Sequence, residues 1–436
     1  MTKKQNDENF IEANDNNSTS ELNTNLDYAT TDTEKVYNRT FQADFEDYVF
    51  LNPKRAKKRV ASAGNIENIS AYPLVASKNT PSNAKSSHKK RKKRISRKKM
   101  KLWKKILISV GCSLVALILI IVSTVALLIN NGNKQMITND YTILTPSEEI
   151  DAIVQNQGEY IVYNGKTYKY NNNITSILCM GIDKRDIEGT NVQGTGGQAD
   201  VSILAAIDTT TGKTSLINIS RDTMTDVTTY SEGGSYIGSS IQQICLSYAY
   251  GDGKKTSCEN TVSSVQRLFY NIPINSYIAL DLDGISVVND SIGGVDVTSP
   301  ETIGQFAQGE TYHLEGDMAE SFVRSRDMDA VDANNARNKR QQVYVESFIN
   351  KLITQTKQDF STPIELFNAA SDYSCSNLNA SKISFLAKTI ISADEMSISM
   401  TNVPGTVKMG EVYAEYYVNE AEFYELFINV FYSPLS

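Results

Sequence analysis

ITSILCMGIDKR, residues 174–185, is a short apolar run that stops at a glycine and then turns charged. Ile174–Met180 reads as a buried strand, too short for a helix and closed by Gly181. Val201–Ile207 reads as a second strand and Thr214–Ile219 as a third, joined to it by the hairpin connection Asp208–Lys213. Further along, Glu259–Phe269 sets Val262, Val265, Leu268 and Phe269 on one helical face, Tyr277–Leu282 alternates like a strand, and Gln342–Ile353 returns to helical spacing. Strands interleaved with helices in one stretch predict an α/β fold, a central sheet with helices on its faces.

Working outward toward the N-terminus, the polar segment Asn130–Asn173 reads as a stalk or entry segment, with a strand-like stretch Tyr160–Tyr170 turned at Asn164-Gly165. Before it lies Ile106–Ile129, 24 uncharged apolar residues, where roughly 20 suffice to span a bilayer. Twelve of the seventeen residues Lys89–Lys105 are Lys or Arg, and within thirty residues after the span the only basic residue is Lys134. Such an asymmetry predicts a single-pass membrane protein with a cytoplasmic N-terminus and an extracytoplasmic C-terminal portion. The apolar run starts too far into the chain, and is too long, for a cleavable signal peptide. Residues 1–88 are rich in Asn, Asp, Ser, Thr and Lys without apolar periodicity, and are expected to be disordered. The expected division is therefore 1–105 cytoplasmic, 106–129 transmembrane, 130–173 stalk, 174–355 main domain and 356–436 a C-terminal extension with a last helix near Glu420–Val430.

Charge follows the same division. Residues 1–105 carry 23 Lys and Arg against 12 Asp and Glu; the remainder carries 20 against 38. A basic run beside a membrane suits anionic headgroups as well as setting topology. Nucleic acid is not an expected partner, because the run abuts the bilayer with only Trp103 as an aromatic neighbour. Cys179, Cys245, Cys258 and Cys375 fall outside, where disulfides persist. Cys245 and Cys258 flank the turn Gly251-Asp252-Gly253, and a bridge between them is expected. No cysteine pair has zinc-ligand spacing. His313 is the only histidine after the span, which disfavours Ser-His and Cys-His nucleophile schemes.

What remains for chemistry is carboxylates and arginines at strand ends: Asp183 and Arg185 after the first strand, Asp200 before the second, and Ser220-Arg221-Asp222 after the third. Asp183 and Asp200 meet if those strands are antiparallel neighbours, and two close carboxylates make an oxygen site for Mg²⁺. Arg221, Arg324, Arg326, Arg337 and Arg340 offer planar forks for phosphate or diphosphate oxygens. Arg324 and Arg326 would face one side of a strand, and Arg337 and Gln341 one side of a helix. Residue types alone leave surface ion pairing open as the alternative.

At these residues the sequence resembles the LytR-CpsA-Psr family of cell envelope-related transcriptional attenuator proteins, over roughly residues 174–353. Gly181, Asp183 and Arg185 match Gly-x-Asp-x-Arg, and Asn218–Thr223 matches Ser-Ile-Pro-Arg-Asp-Thr. Tyr248-Ala249-Tyr250-Gly251, then Ile272-Pro273-Ile274 with Tyr277, and Gly293–Val297 follow in order. Leu314, Gly316 and Ala319, Val323–Arg326, and Arg337–Gln342 close the set. Four positions depart from the pattern: Gln198 and Gln243 stand where Arg and Lys are usual, Ser220 for Pro, and Asn334 for Asp, with Asp332 two residues earlier.

The resemblance implies an α/β/α sandwich enclosing a lipid channel, and a Mg²⁺-dependent phosphotransferase. Its members move a glycopolymer, of teichoic acid or capsular polysaccharide type, from polyprenyl diphosphate to peptidoglycan at the outer face of a Gram-positive-type membrane. On that reading Asp183 and Asp200 hold Mg²⁺. Arg221, Asp222, Arg324 and Arg326 carry catalysis, and Arg185, Arg221, Arg324, Arg326, Arg337, Arg340 and Gln341 bind the diphosphate. Asp222 or Asp332 takes the acceptor proton. The rival readings are a non-catalytic envelope scaffold or sensor, favoured by the lost cations, and a transcriptional regulator, opposed by the absence of any helix-turn-helix pattern in residues 1–105.

Overall fold

The computed structural model describes residues 93–435, apart from 139, 232–233, 327–332 and 394–395. The expected disorder of residues 1–88 and the candidate base Asp332 lie outside the described residues. Helix α1 (Lys93–Met136) contains the apolar run, and Leu102–Met136 is long and apolar enough to cross a membrane. Its last turns do not lead into a stalk. Met136 is fully buried, its carbonyl accepts from the Thr175 hydroxyl at 2.8 Å, and its sulfur accepts from Ser276.

The strands β1 (Ala152–Gln155), β2 (Tyr160–Tyr163) and β3 (Lys166–Tyr170) follow, with the turn at Asn164-Gly165 in the left-handed conformation. They form an antiparallel sheet completed by the last strand of the chain, and Ile143, Ile161 and Tyr170 enter the main core. The segment 130–173, expected as a stalk or entry segment, is part of the folded body: Ile143, Ile161 and Tyr170 bury in the main core with the C-terminal helix.

Next come β4 (Ile174–Ile182), β5 (Ala199–Asp208), β6 (Thr214–Ile219), β7 (Met224–Tyr230), β8 (Tyr236–Gln243), α2 (Leu246–Ala249), α3 (Lys255–Leu268) and β9 (Ser276–Leu280). A subsidiary layer holds α4 (Leu282–Ser291), β10 (Val295–Thr298), β11 (Thr311–Leu314), α5 (Asp317–Arg324) and α6 (Ala333–Gln358), packed around Phe306, Phe322 and Tyr344. The chain ends with α7 (Thr362–Ala370), β12 (Ser374–Ser376), α8 (Ala380–Ser392), β13 (Ile398–Asn402), β14 (Gly405–Met409), β15 (Ala414–Val418), α9 (Glu420–Phe431) and β16 (Tyr432–Pro434).

The central sheet runs β12-β9-β4-β5-β6-β13. β4–β5, β5–β6 and β9–β12 are antiparallel, whereas β4–β9 and β6–β13 are parallel, so the sheet is mixed. Alternation sorts its two faces. Leu178, Met180, Leu204, Ala206 and Ile217 pack with Val265 and Phe269 of α3 and with Phe423, Phe427 and Phe431 of α9. Ile177, Ile203, Ala205 and Leu216 face the other way, against Met136, Phe385 of α8 and Ile349 of α6. Helices thus cover both faces of the sheet. A boundary at residue 355 does not divide the fold, because β12 and β13 are strands of the central sheet.

The expected Cys245–Cys258 bridge is not formed, because the two side chains face different partners. Hydrogen bonds close the intervening loop instead. The Tyr248 hydroxyl donates to the Gly253 carbonyl at 2.8 Å, and Asp252 accepts from the backbone of Lys254 and Ser257. Cys245 faces Arg221, while Cys258 of α3 turns to the Cys375 backbone in β12.

Candidate anion site

The site forms where β4 and β6 end and β5 begins. Antiparallel pairing of β4 with β5 sets Gly181 opposite Val201, with a bulge at Ile182. Asp183 and Gln198 then clasp each other: the Asp183 amide donates to the Gln198 carbonyl at 3.1 Å, and the Gln198 amide to Asp183 Oδ1 at 2.6 Å. Gly197 sits here at φ +92°, and a Cβ would lie 3.0 Å from Ile182 and Lys184 side-chain atoms, so the tight return needs glycine.

Arg221, directly after β6, points into this corner. Its Nη1 pairs with Asp200 Oδ1, its Nη2 donates to Gln198 Oε1 at 2.5 Å and approaches Cys245 Sγ at 3.9 Å, and its Nε lies 3.6 Å from Asp222 Oδ1. Burial works to lower the Arg221 pKa, but Asp200, Cys245 and Asp222 outweigh it and the value rises. Asp200 titrates above the ordinary carboxylate value, because burial and then the neighbouring Asp183 outweigh the pull of Arg221. Burial likewise raises Asp222 against Arg221 and Arg337. The Cys245 thiol is pushed up to about 11 by burial, which keeps it neutral.

Arg337 of α6 joins this cluster electrostatically, facing Asp200, Arg221, Asp222 and the exposed Arg326. Burial lowers its pKa, and its Nε is buried with no hydrogen-bond partner among the described residues. A half-buried guanidinium whose Nε has no partner among the described residues is poised for an anionic oxygen. The two glutamines at departing positions serve the same cluster: Gln198 orients Arg221, and Gln243 Nε2 donates to Asp222 Oδ1 at 3.2 Å and to the Ala414 carbonyl at 2.7 Å.

Four expected contributors are placed differently. Arg324 closes helix α5 rather than lying on a strand with Arg326, since Ala319, Phe322 and Val323 form a buried helical face. It pairs with Glu320, which also takes Arg185 at 3.0 Å; Arg185 reaches Asp283 at 2.5 Å as well. Arg185, Glu320 and Arg324 line an open cleft with Asp317, Ser321 and Ser325. The loop 183–185 thus has Asp183 in the first cluster and Arg185 in the second. Arg340 is 1 % exposed and belongs to the core, its guanidinium engaged by the Phe322 and Ser325 carbonyls and by Glu301. Gln341 spends its amide donor on the Val323 carbonyl at 3.2 Å. His313 is a surface group between Asp296 and Glu315. Glu320 escaped sequence reasoning, although its position four residues before Arg324 is the spacing of a helical ion pair. The contact of Ala414 and Tyr416 with Gln243 and Asp222 left no local signal.

Among the described residues no three His, Cys, Asp or Glu side chains form a ready-made metal cage. Mg²⁺ does not require one; it is held by one or two carboxylates plus waters and substrate phosphates. Asp183 and Asp200 fit that pattern, and their mutual repulsion is what a divalent cation would relieve.

The model of the LytR_cpsA_psr family matches residues 137–429. An *Enterococcus faecalis* protein named polyisoprenyl-teichoic acid–peptidoglycan teichoic acid transferase TagU is 28% identical over 201 residues, 45% of this chain and 59% of that protein. A *Bacillus cereus* TagU is 32% identical over 180 residues, covering 40% and 52%. The chain spans about half the length of the curated relatives it matches. Among solved structures, *B. subtilis* TagV superposes with a TM-score of 0.46 at 21% identity, covering 59% of this chain and 96% of that one. A structure described as TagT bound to LI-WTA gives 0.44 at 18% identity, covering 64% and 97%.

Proposed function

Since the chain belongs to the LytR_cpsA_psr family, we propose that it is a membrane-anchored, extracytoplasmic phosphotransferase of cell-wall assembly. It would move a glycopolymer of teichoic acid or capsular polysaccharide type from a polyprenyl diphosphate carrier to peptidoglycan. Relatives named as teichoic acid transferases support this reading. The observation that carries it is Arg221, held by Asp200 and Gln198, beside Arg337 with its buried, unpartnered Nε.

A peptidoglycan sugar hydroxyl would attack the polymer-side phosphorus, and polyprenyl phosphate would leave. Arg221, Arg326 and Arg337 would bind the diphosphate oxygens, strengthening as charge builds in the transition state. Asp222, with its raised pKa, would take the acceptor proton. Arg185 and Arg324 would steer the charged substrate from the adjoining cleft. Asp183 and Asp200 would hold Mg²⁺, which when bound neutralises charge on the transferred group. The second reading, a non-catalytic scaffold binding polyprenyl phosphates, is favoured by neutral Gln198 and Gln243 at positions where the family carries cations.

An in vitro assay with lipid-linked oligosaccharide and peptidoglycan fragments separates them. Charge-assisted hydrogen bonds are worth about 1.5–3 kcal/mol. Arg221→Ala is therefore expected to lower transfer at least roughly tenfold, while the protein still co-purifies with polyprenyl lipid. Absence of Mg²⁺-dependent product from the wild type, across several polymer types, would establish the scaffold reading.

A further inference from the structure

We propose that Cys258 and Cys375 are joined by a disulfide bond in the mature protein, clamping α3 to the edge strand β12; this rests on the extracytoplasmic placement proposed above. Cys258 is fully buried on α3, and its Sγ lies 3.9 Å from the backbone oxygen of Cys375, 117 residues away in sequence. This contact sets the two cysteines side by side, and their thiols act on each other's titration. Cys375 is partly exposed and sits in β12 opposite Ala279 of β9. No other candidate ligand completes a metal site around them among the described residues. The hydrogen bond from Cys258 holds the Cys375 thiol below its ordinary value, and the same contact, with burial, pushes Cys258 up.

The more acidic, more exposed Cys375 is therefore the attacking thiolate. It displaces one sulfur of an external disulfide, a small-molecule or protein disulfide of the extracytoplasmic space. Cys258 then attacks the mixed disulfide. Two S–H bonds break and one S–S bond forms; two electrons and two protons pass to the external disulfide, which leaves as two thiols. The product secures a three-residue edge strand whose one sheet neighbour among the described residues is β9. It also secures the loop before α3, which holds the rim of the site: the Thr190 amide donates to Asp252 at 2.8 Å and the Gly194 amide to Ala249 at 2.9 Å.

The full-length protein, extracted in detergent and denatured in N-ethylmaleimide without reductant, is digested and mapped by mass spectrometry. The expected result is one cross-linked pair, Cys258 to Cys375, lighter by two hydrogen atoms than the separate peptides, with Cys112, Cys179 and Cys245 alkylated. Alkylation of both Cys258 and Cys375, or a link from either to Cys245, overturns the proposal. Repeating the map after incubation with oxidised glutathione distinguishes the two ways of failing. A bond that appears only then faults the extracytoplasmic placement; none even then faults the pairing itself. Reductant should also lower the thermal midpoint of the wild type by roughly 5 °C or more. It should leave a C258S/C375S double variant unchanged, and a wild type indifferent to reductant would refute the clamp.

Discussion

Arg337 and Arg340 stand one turn apart on α6, and their surroundings give them opposite roles. Arg340 is paired with Glu301 and two carbonyls in the core; Arg337 faces the carboxylates of the site with an unfilled donor. Removing one partner of a buried pair costs about 3 kcal/mol or more. Arg340→Ala should therefore lower the thermal midpoint by several degrees, whereas Arg337→Ala should leave it nearly unchanged and reduce transfer; calorimetry beside the transfer assay checks both. Their spacing in sequence could not separate them, because Glu301 lies 39 residues from Arg340. Asp200 and Arg221 were legible together, since the short β5–β6 hairpin sets the start of one strand beside the end of the other; Asp183 joins them through the antiparallel pairing of β4 with β5. At Gln243 the expected change is in pH dependence. Burial raises the Asp222 pKa, so as the proton acceptor it loses activity as pH falls through that raised value. Gln243→Lys would set an ammonium where an amide now donates at 3.2 Å, favouring the ionised carboxylate. The acid limb of the rate profile should move about one unit or more to lower pH. A limb that stays in place would remove Asp222 from the role of base.

Among the elements, those with strong local patterns were readable and those set by distant partners were not. The runs at 174–180, 201–207 and 214–219 became β4, β5 and β6, and the alternation at 277–282 became β9. β12 and β13 are three and five residues long and take their place from β9 and β6, so nothing local marks them as sheet strands. Arg324-Ser325-Arg326 looked like strand alternation because three residues cannot show that a helix ends within them. The junction of α1 with α8 was hidden for a related reason: the membrane span reads as complete at residue 129, yet the helix continues to Met136. Gly132 is the close-approach point. A Cβ there would lie 2.0 Å from the Ser381 carbonyl oxygen and 2.7 Å from Phe385 Cβ, whereas one at Gly111 would meet nothing within 4 Å. Gly132→Leu should thus prise α1 from α8 and lower the thermal midpoint in detergent by several degrees. Gly111→Leu, equally helix-favouring, should not. Equal behaviour of the two variants would mean that α1 does not dock on α8.

At the scale of the whole molecule, anchor and site occupy opposite ends of the same strand. α1 meets β4 at Thr175, while Asp183 follows its other end, and nine residues of strand span roughly 30 Å. The site therefore stands well away from the anchor's point of entry, yet it is fixed to it, because α1 joins the core without an intervening linker. The extracytoplasmic placement proposed above rests on charge. The basic run precedes the span, and within thirty residues after it the only basic residue is Lys134. Each Lys or Arg carried outward across the membrane works against the potential. A cysteine introduced at exposed Ser147 should accordingly react with a membrane-impermeant maleimide in intact cells, above the wild-type background. One introduced at Ser82 should react only after lysis. Were Ser82 to label in intact cells and Ser147 not, the arginine–aspartate site would face the cytoplasm, where neither peptidoglycan nor an outward-facing lipid carrier could reach it.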